Sequence, residues 1–365
     1  MRGRTELAMN LPPSAQIKGL LICLGMVILP QVMIGGTVGI EWTKLAPIPD
    51  AEGFAGSFAG VHGGSLIVAG GANFPEAKPW EGGTKRWHDR VFVLSLPGAA
   101  WRESGRLPMP LAYGVSITTA DGLICVGGSN AEGHQRSVIR LRLVDGEPSL
   151  TLLPSLPVAC ANLSGALLGE TIYVAGGTEN PESVEALRSV WALDLRQIGA
   201  GWEALEPLPG CGRILAAAGA VDGSFFVVGG SALKLGKDGK TEREGLRDGY
   251  RYTPGRGWRP IADAPRNAYA APSPMPVTRS GALLLLGGDD GRQISRPLEE
   301  HRGFPNDAAV YDASTDTWTV LEHTPFALVT TPTVLWESRI VIPGGERKPG
   351  IRSTEVWAGA ILDKP

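Results

Sequence analysis

LIVAGG, Leu66–Gly71, is the stretch from which the fold can be read: four apolar residues closed by a pair of glycines. A short apolar run bounded by a backbone breaker reads as a buried strand that ends abruptly. The pattern returns as LICVGG ending at Gly128, IYVAGG at Gly177, FFVVGG at Gly230, LLLLGG at Gly288 and IVIPGG at Gly345. One diglycine is weak evidence, but six with the same flanks are strong. Successive pairs stand 57, 49, 53, 58 and 57 residues apart. Each is followed by a loop and a second apolar strand: RVFVLSL, SVIRLRL, SVWALDL, DGYRYT, DAAVYD and STEVWAG. A Trp or Leu strand and a Pro-rich turn come next, as in AWRESGRLP, SLTLLPSLP, GWEALEPLP, GWRPIADAP and TWTVLEHTP.

Each repeat therefore reads as four antiparallel strands, one blade of a β-propeller, at a spacing close to the roughly 50-residue kelch period. The sixth repeat supplies strands near Leu328–Trp336, Arg339–Pro343 and Thr354–Leu362, and lacks its outer strand. EWTKLAPIP, Glu41–Pro49, has the outer-strand pattern. Pairing the two ends in one blade removes the edges an open ring would expose. The fold class expected is all-β, a six-bladed propeller over residues 38–365, with Glu41–Lys44 beside Thr354–Ala358.

Residues 1–37 read differently. Arg2, Arg4 and Lys18 precede an apolar stretch from Gly19 to Ile34, the pattern of an export signal or an N-terminal anchor. The expected location is periplasmic or secreted, with no membrane contact beyond this segment. The 34 basic and 37 acidic residues give a formal net charge of −3, which makes no case for nucleic acid. Past residue 37 an odd number of cysteines remains, Cys125, Cys160 and Cys211, so no disulfide framework is indicated. Cys125 lies within an apolar strand; Cys160 and Cys211 occupy similar places in neighbouring repeats, where a pairing stays open.

Hairpin turns between the first two strands of each blade are short: His62-Gly63-Gly64, Asp121-Gly122, Gly169-Glu170 and Asp222-Gly223. Loops after the diglycines lie on the other face, with the blade-to-blade connections. Those at about 72–89, 231–247 and 289–306 are long, and long loops on a rigid scaffold are where binding sits. The charged stretch Lys234–Asp248 reads as a solvated loop or a docking surface. Blade 6 has only Glu346–Arg352 there, which predicts a lowered rim. His62, His88, His134, His301 and His323 lack metal-ligand spacing, and no familiar nucleophile or phosphate motif is present.

Within GGERKPGIRS, Gly344–Ser353, Glu346 directly follows the diglycine and Arg352 closes the loop. A carboxylate at the channel mouth beside apolar strands is a candidate acid or base. On the residues alone, a surface Glu–Arg pair tying down the loop is the plainer reading.

The motif G-E-x-K-P-G-[IL]-R resembles the loop of the N-acetylneuraminate epimerase (sialic acid mutarotase) family in which the Glu is the proton acceptor. GFAGSFAGVHGGSLIVAGGANFP, Gly53–Pro75, followed by AYGVSI at Ala112–Ile117, is similar to segments of the same family. The family places the GEAKPG-type blade before the GFAG-type blade; here it comes last, as in a cyclically permuted branch, and a ring tolerates such a cut. The resemblance implies a mutarotase that interconverts anomers of an acidic sugar without a cofactor. Glu346 is its base and Arg352 a substrate contact. Arg213, Asn73, Tyr113 and Arg266 are further candidates on the same face. Where the family often has Arg before Ala-Tyr-Gly, this chain has Leu111. A kelch module that only binds glycan or protein, and a galactose-oxidase-like copper enzyme, are the rival readings.

Overall fold

The computed structural model describes residues 38–363. The segment expected to direct export, residues 1–37, lies outside them. Six sheets follow one another around an axis, each with its first strand innermost. Blade 1 comprises Phe58–His62, Ser65–Ala69, Arg90–Leu94 and Arg102–Arg106, and blade 2 Val115–Thr119, Gly122–Val126, Val138–Val144 and Glu147–Leu153. Blades 3 and 4 begin at Ser164–Leu168 and Ala217–Val221 and repeat the four-stranded order.

Blade 5 departs from the expected four strands, having Leu283–Leu286, Ala308–Asp312 and Thr317–Val320. Its inner position is taken by the segment around Ser273-Pro274-Met275-Pro276, whose two prolines have no N–H to give a ladder. Single bonds hold it instead: Met275 N–H donates to the Ala218 carbonyl, and Leu284 N–H to the Pro276 carbonyl.

Blade 6 closes the ring as expected. Val38–Leu45 pairs antiparallel with Val356–Asp363, which pairs in turn with Arg339–Pro343. Glu41–Lys44 faces Trp357–Ala360, overlapping the expected Thr354–Ala358 and reaching two residues past its end. Six apolar clusters fill the six junctions between blades; that between blades 1 and 6, for example, joins Phe54, Val68 and Phe92 to Val341 and Val356. Outer-strand tryptophans latch neighbouring blades, the indole N–H of Trp101, Trp202, Trp258 and Trp318 donating to the carbonyls of Ala46, Pro154, Glu206 and Ala262.

Close approach explains the diglycines. Gly70, Gly127 and Gly176 have φ of 66, 61 and 71°, and an added Cβ would stand 2.3–2.5 Å from the carbonyl oxygens of Leu111, Cys160 and Arg213 in the next connection. Only glycine fits both demands.

One residue per blade then enters a closed ring of hydrogen bonds around the axis. Tyr113 N–H donates to the Gly56 carbonyl, Asn162 to Tyr113, Leu215 to Asn162, Ala270 to Leu215, Thr330 to Ala270, and Gly56 to Thr330, at 2.7–2.9 Å. All six have φ between 53 and 65°. The ring forms the waist between a wide upper cavity and a narrow axial channel.

The three cysteines among the described residues do not pair with one another. Cys125 and Cys160 are buried free thiols, and Cys211 is an exposed one.

Candidate active site

Above the waist opens a cavity of about 1210 Å³, bounded by the loops that follow the diglycines. Its lining includes Glu346, Arg352 and Tyr113 among the residues singled out from the sequence.

Glu346 and Arg352 face each other across a two-stranded hairpin, Glu346–Lys348 with Ile351–Arg352. Glu346 is anchored at its backbone by reciprocal bonds with Val329, at 2.9 and 3.0 Å. Its Oε1 accepts from the Gly350 N–H at 2.8 Å and from Arg352 Nη1. The turn at Pro349-Gly350 therefore both shapes the loop and holds the carboxylate. Glu346 Oε2 has no hydrogen-bond partner among the described residues, and its side chain is 17% exposed, on the cavity wall.

Arg352 is buried. Its Nε donates to the Ala72 carbonyl of blade 1 at 3.1 Å, and its guanidinium lies 5.1 Å from the centre of the Phe74 ring. These contacts fix the fork, and Nη2 is left without a protein partner among the described residues. A fixed carboxylate oxygen and a fixed N–H donor side by side form a unit that can accept one proton and hold one anionic oxygen.

The low rim expected at blade 6 is filled by its neighbours. Trp80 of blade 1 covers Lys348 at 5.4 Å, Pro79 packs on Gly350, and Lys348 Nζ donates to the Glu299 carbonyl of the blade 5 loop. The charged stretch of blade 4 is a hairpin, Ser231–Leu235 with Thr241–Gly245, rather than an irregular loop, and Leu233, Thr241 and Arg243 reach the cavity.

Three of the expected site residues face elsewhere. Arg213 is enclosed and bound to both oxygens of Asp248, at 3.1 and 2.8 Å, and to the Gly229 carbonyl. Arg266 is bound to both oxygens of Asp307 and to the Gly287 carbonyl. Asn73 spans Gly53, Asp50 and His88. None of the three lines the cavity. Leu111, where the family often carries Arg, occupies in blade 2 the place that Arg213 has in blade 4, and is buried in the core. The departure at Leu111 therefore leaves the cavity wall untouched.

The sequence reading missed Phe74, Lys85, Asn162, Tyr269 and Asp289, all on the wall. Their signal is positional: Phe74 and Asp289 closely follow diglycines, and Asn162 and Tyr269 sit where Tyr113 and Ile214 do in their own blades. Burial disfavours the charged form of two imidazoles near the cavity. Burial lowers the pKa of His134, which is held between Ser129 and Thr178. Burial also lowers that of His301 against the opposing pull of Asp289.

Fold and site together define a kelch-type propeller whose mouth carries a carboxylate–guanidinium pair in a polar cavity. Residues 29–150 match the family model of N-acetylneuraminate epimerase. The chain is 37% identical over 124 residues to the N-acetylneuraminate epimerase of Salmonella arizonae, covering 30% of this chain and 32% of that protein. It is 36% identical over 122 residues to the enzyme of that name from Brucella suis, covering 29% and 31%. The resemblance to this family is shown over blades 1 and 2, and the chain spans about a third of the length of the relatives it matches.

Proposed function

We propose that this protein is a cofactor-independent epimerase that interconverts the anomers of N-acetylneuraminate or a related acidic sugar, acting after export. The observation that carries the reading is the open Oε2 of Glu346, held beside the Arg352 fork in a loop similar to that of the epimerases. Similarity of blades 1 and 2 to proteins named for this activity supports it. A linear match that stops before GERKPGIR is also what a cyclic permutation of the blades would produce.

In the reaction, Glu346 Oε2 takes the proton of the anomeric hydroxyl as the bond between the anomeric carbon and the ring oxygen breaks. The ring oxygen takes a proton from water in the cavity, and the open-chain ketone results. Rotation of the carbonyl and attack on its other face by the hydroxyl formed from the ring oxygen close the ring as the opposite anomer. That hydroxyl returns its proton to the hydroxide left by the water, and Glu346 gives its own proton to the new anomeric oxygen. No atom is gained or lost. Arg352 Nη2 holds an anionic oxygen of the substrate while this happens. Ring opening is already appreciable in water, so one positioned base suffices.

Exchange NMR of N-acetylneuraminate with and without protein tests the reading. Wild type should accelerate exchange, and Glu346→Gln, which keeps shape but not basicity, should lose about 10²–10⁴-fold. Binding without acceleration would make the protein a glycan-binding module. Recovery of the full-length chain from the soluble cytoplasmic fraction would refute export.

A further inference from the structure

The pair at Glu346 and Arg352 is internally neutral, so it supplies no net charge for an acidic substrate. Arg213, which the sequence suggested for that task, is committed to Asp248. Of the cations on the cavity wall, Lys85 and Arg243 have no such commitment among the described residues, and Lys85 is the one beside the Glu346–Arg352 pair. It stands two residues after the Gly82-Gly83 turn, where the blade 1 loop returns to pair Arg86 with Asn73 and Trp87 with Ala72.

Its ammonium lies 5.1 Å from the centre of the Tyr113 ring, 5.5 Å from Trp87 and 6.0 Å from Phe74. Among the described residues it has no carboxylate partner and no hydrogen bond, and it lines the cavity. A surface lysine ordinarily lays its stem on apolar groups and lifts its head into water. Here the head itself lies within cation–π reach of three rings. A carboxylate arriving there meets a positioned cation.

The charges around the cavity point the same way. Of its other acids, Glu132, Glu179 and Glu182 belong to the loops of blades 2 and 3, and Asp289 to that of blade 5. Lys85 and Arg352 share the Phe74 ring across the junction of blades 1 and 6, beside Glu346. We propose that Lys85 is the counter-ion for the substrate carboxylate and restricts the site to sugars that carry one. This rests on the epimerase reading for the identity of the sugar, and on the cavity alone for the charge it selects.

Titration calorimetry with N-acetylneuraminate and its methyl ester tests the proposal without turnover. Wild type should bind the acid about 10- to 100-fold more tightly than the ester. Lys85→Met, which keeps the stem against the rings, should lose most of that preference and leave the ester's affinity unchanged. Lys85→Arg should restore most of the preference, and Lys85→Gln serves if the Met variant does not fold. Equal binding of acid and ester by wild type, no binding of the acid, or an undiminished preference in Lys85→Met would each overturn it. A lost preference in the variant with no exchange by wild type removes the epimerase reading and keeps Lys85. Fast exchange with an unchanged preference does the reverse.

Discussion

Replacing Arg213 by Met should weaken the fold and leave the site's chemistry alone. The Arg213 side chain has 0% exposure, its fork meets both oxygens of Asp248, and Nη1 also reaches the Gly229 carbonyl at 2.9 Å. Met keeps the apolar stem and deletes these bonds, with a fourth to the Asp248 carbonyl. Removing one member of a buried pair typically costs about 3–5 kcal/mol. Two features reduce that: Asp248 is 34% exposed and can rehydrate, and the enclosed guanidinium no longer has to be kept from water. A net loss of about 2–4 kcal/mol follows, or roughly 4–8 °C in Tm at about 2 °C per kcal/mol for a domain of this size.

Burial alone would raise the Asp248 carboxyl, but the Arg213 fork, with Tyr250, overrides it and holds it below the usual carboxylate range. A depressed native pKa gives stability that is complete above the unfolded value and lost as pH falls through the native one. The gap between wild type and variant should therefore be full at pH 7 and shrink below about pH 4. Scanning calorimetry at both pH values measures it, alongside KM for anomer exchange. An unchanged Tm with a raised KM would refute the reasoning and return Arg213 to the substrate.

Three further outcomes follow from the described contacts. In a Cys23→Ala background, a thiol reagent followed by peptide mapping should modify Cys211 in the native protein. It should spare Cys160, pushed up to about 12 by burial, and Cys125, pushed higher still, until unfolding; early labelling of either would contradict the packing. Thr330 is a β-branched residue at φ 53°, so Thr330→Gly should stabilise by about 0.5–1 kcal/mol in urea titrations, relief of strain outweighing lost chain stiffness; a clear destabilisation would count against strain at the waist. Trp202→Phe removes the indole donor to Pro154 at 2.8 Å and should cost about 1–2 kcal/mol by the same titration, whereas no loss would make the latch ornamental.

The blades were legible because their signal is redundant: a buried strand, a glycine pair that close approach demands, and an outer strand with its latch tryptophan. The inner edge of blade 5 was not, because Ser-Pro-Met-Pro fills the place by packing and single bonds rather than by a strand pattern. Glu346 and Arg352 stood out through the resemblance of GERKPGIR to the epimerase loop, since on the residues alone a surface pair is the plainer reading. Arg213 and Arg266 misled. An arginine in a blade-to-blade connection reads the same whether it turns to the cavity or into its own blade, and the partners that decide this, Asp248 and Asp307, lie 35 and 41 residues away. Lys85 gave no local sign, since Phe74, Trp87 and Tyr113 gather round it only after blades 1 and 2 have packed.

The six-membered hydrogen-bond ring at the waist has an electrostatic consequence. Its N–H and C=O dipoles run tangentially, each blade pointing to the one before it, and a closed circuit of tangential dipoles sums to nearly nothing along the axis. A helix end beneath a ligand offers about half a unit of charge; this floor offers none, and its six N–H groups are spent on one another. The cavity therefore has a field drawn almost wholly by side chains on its wall. A change of specificity then needs only a change of rim residues, while the backbone beneath remains electrically blank and can be kept as it is.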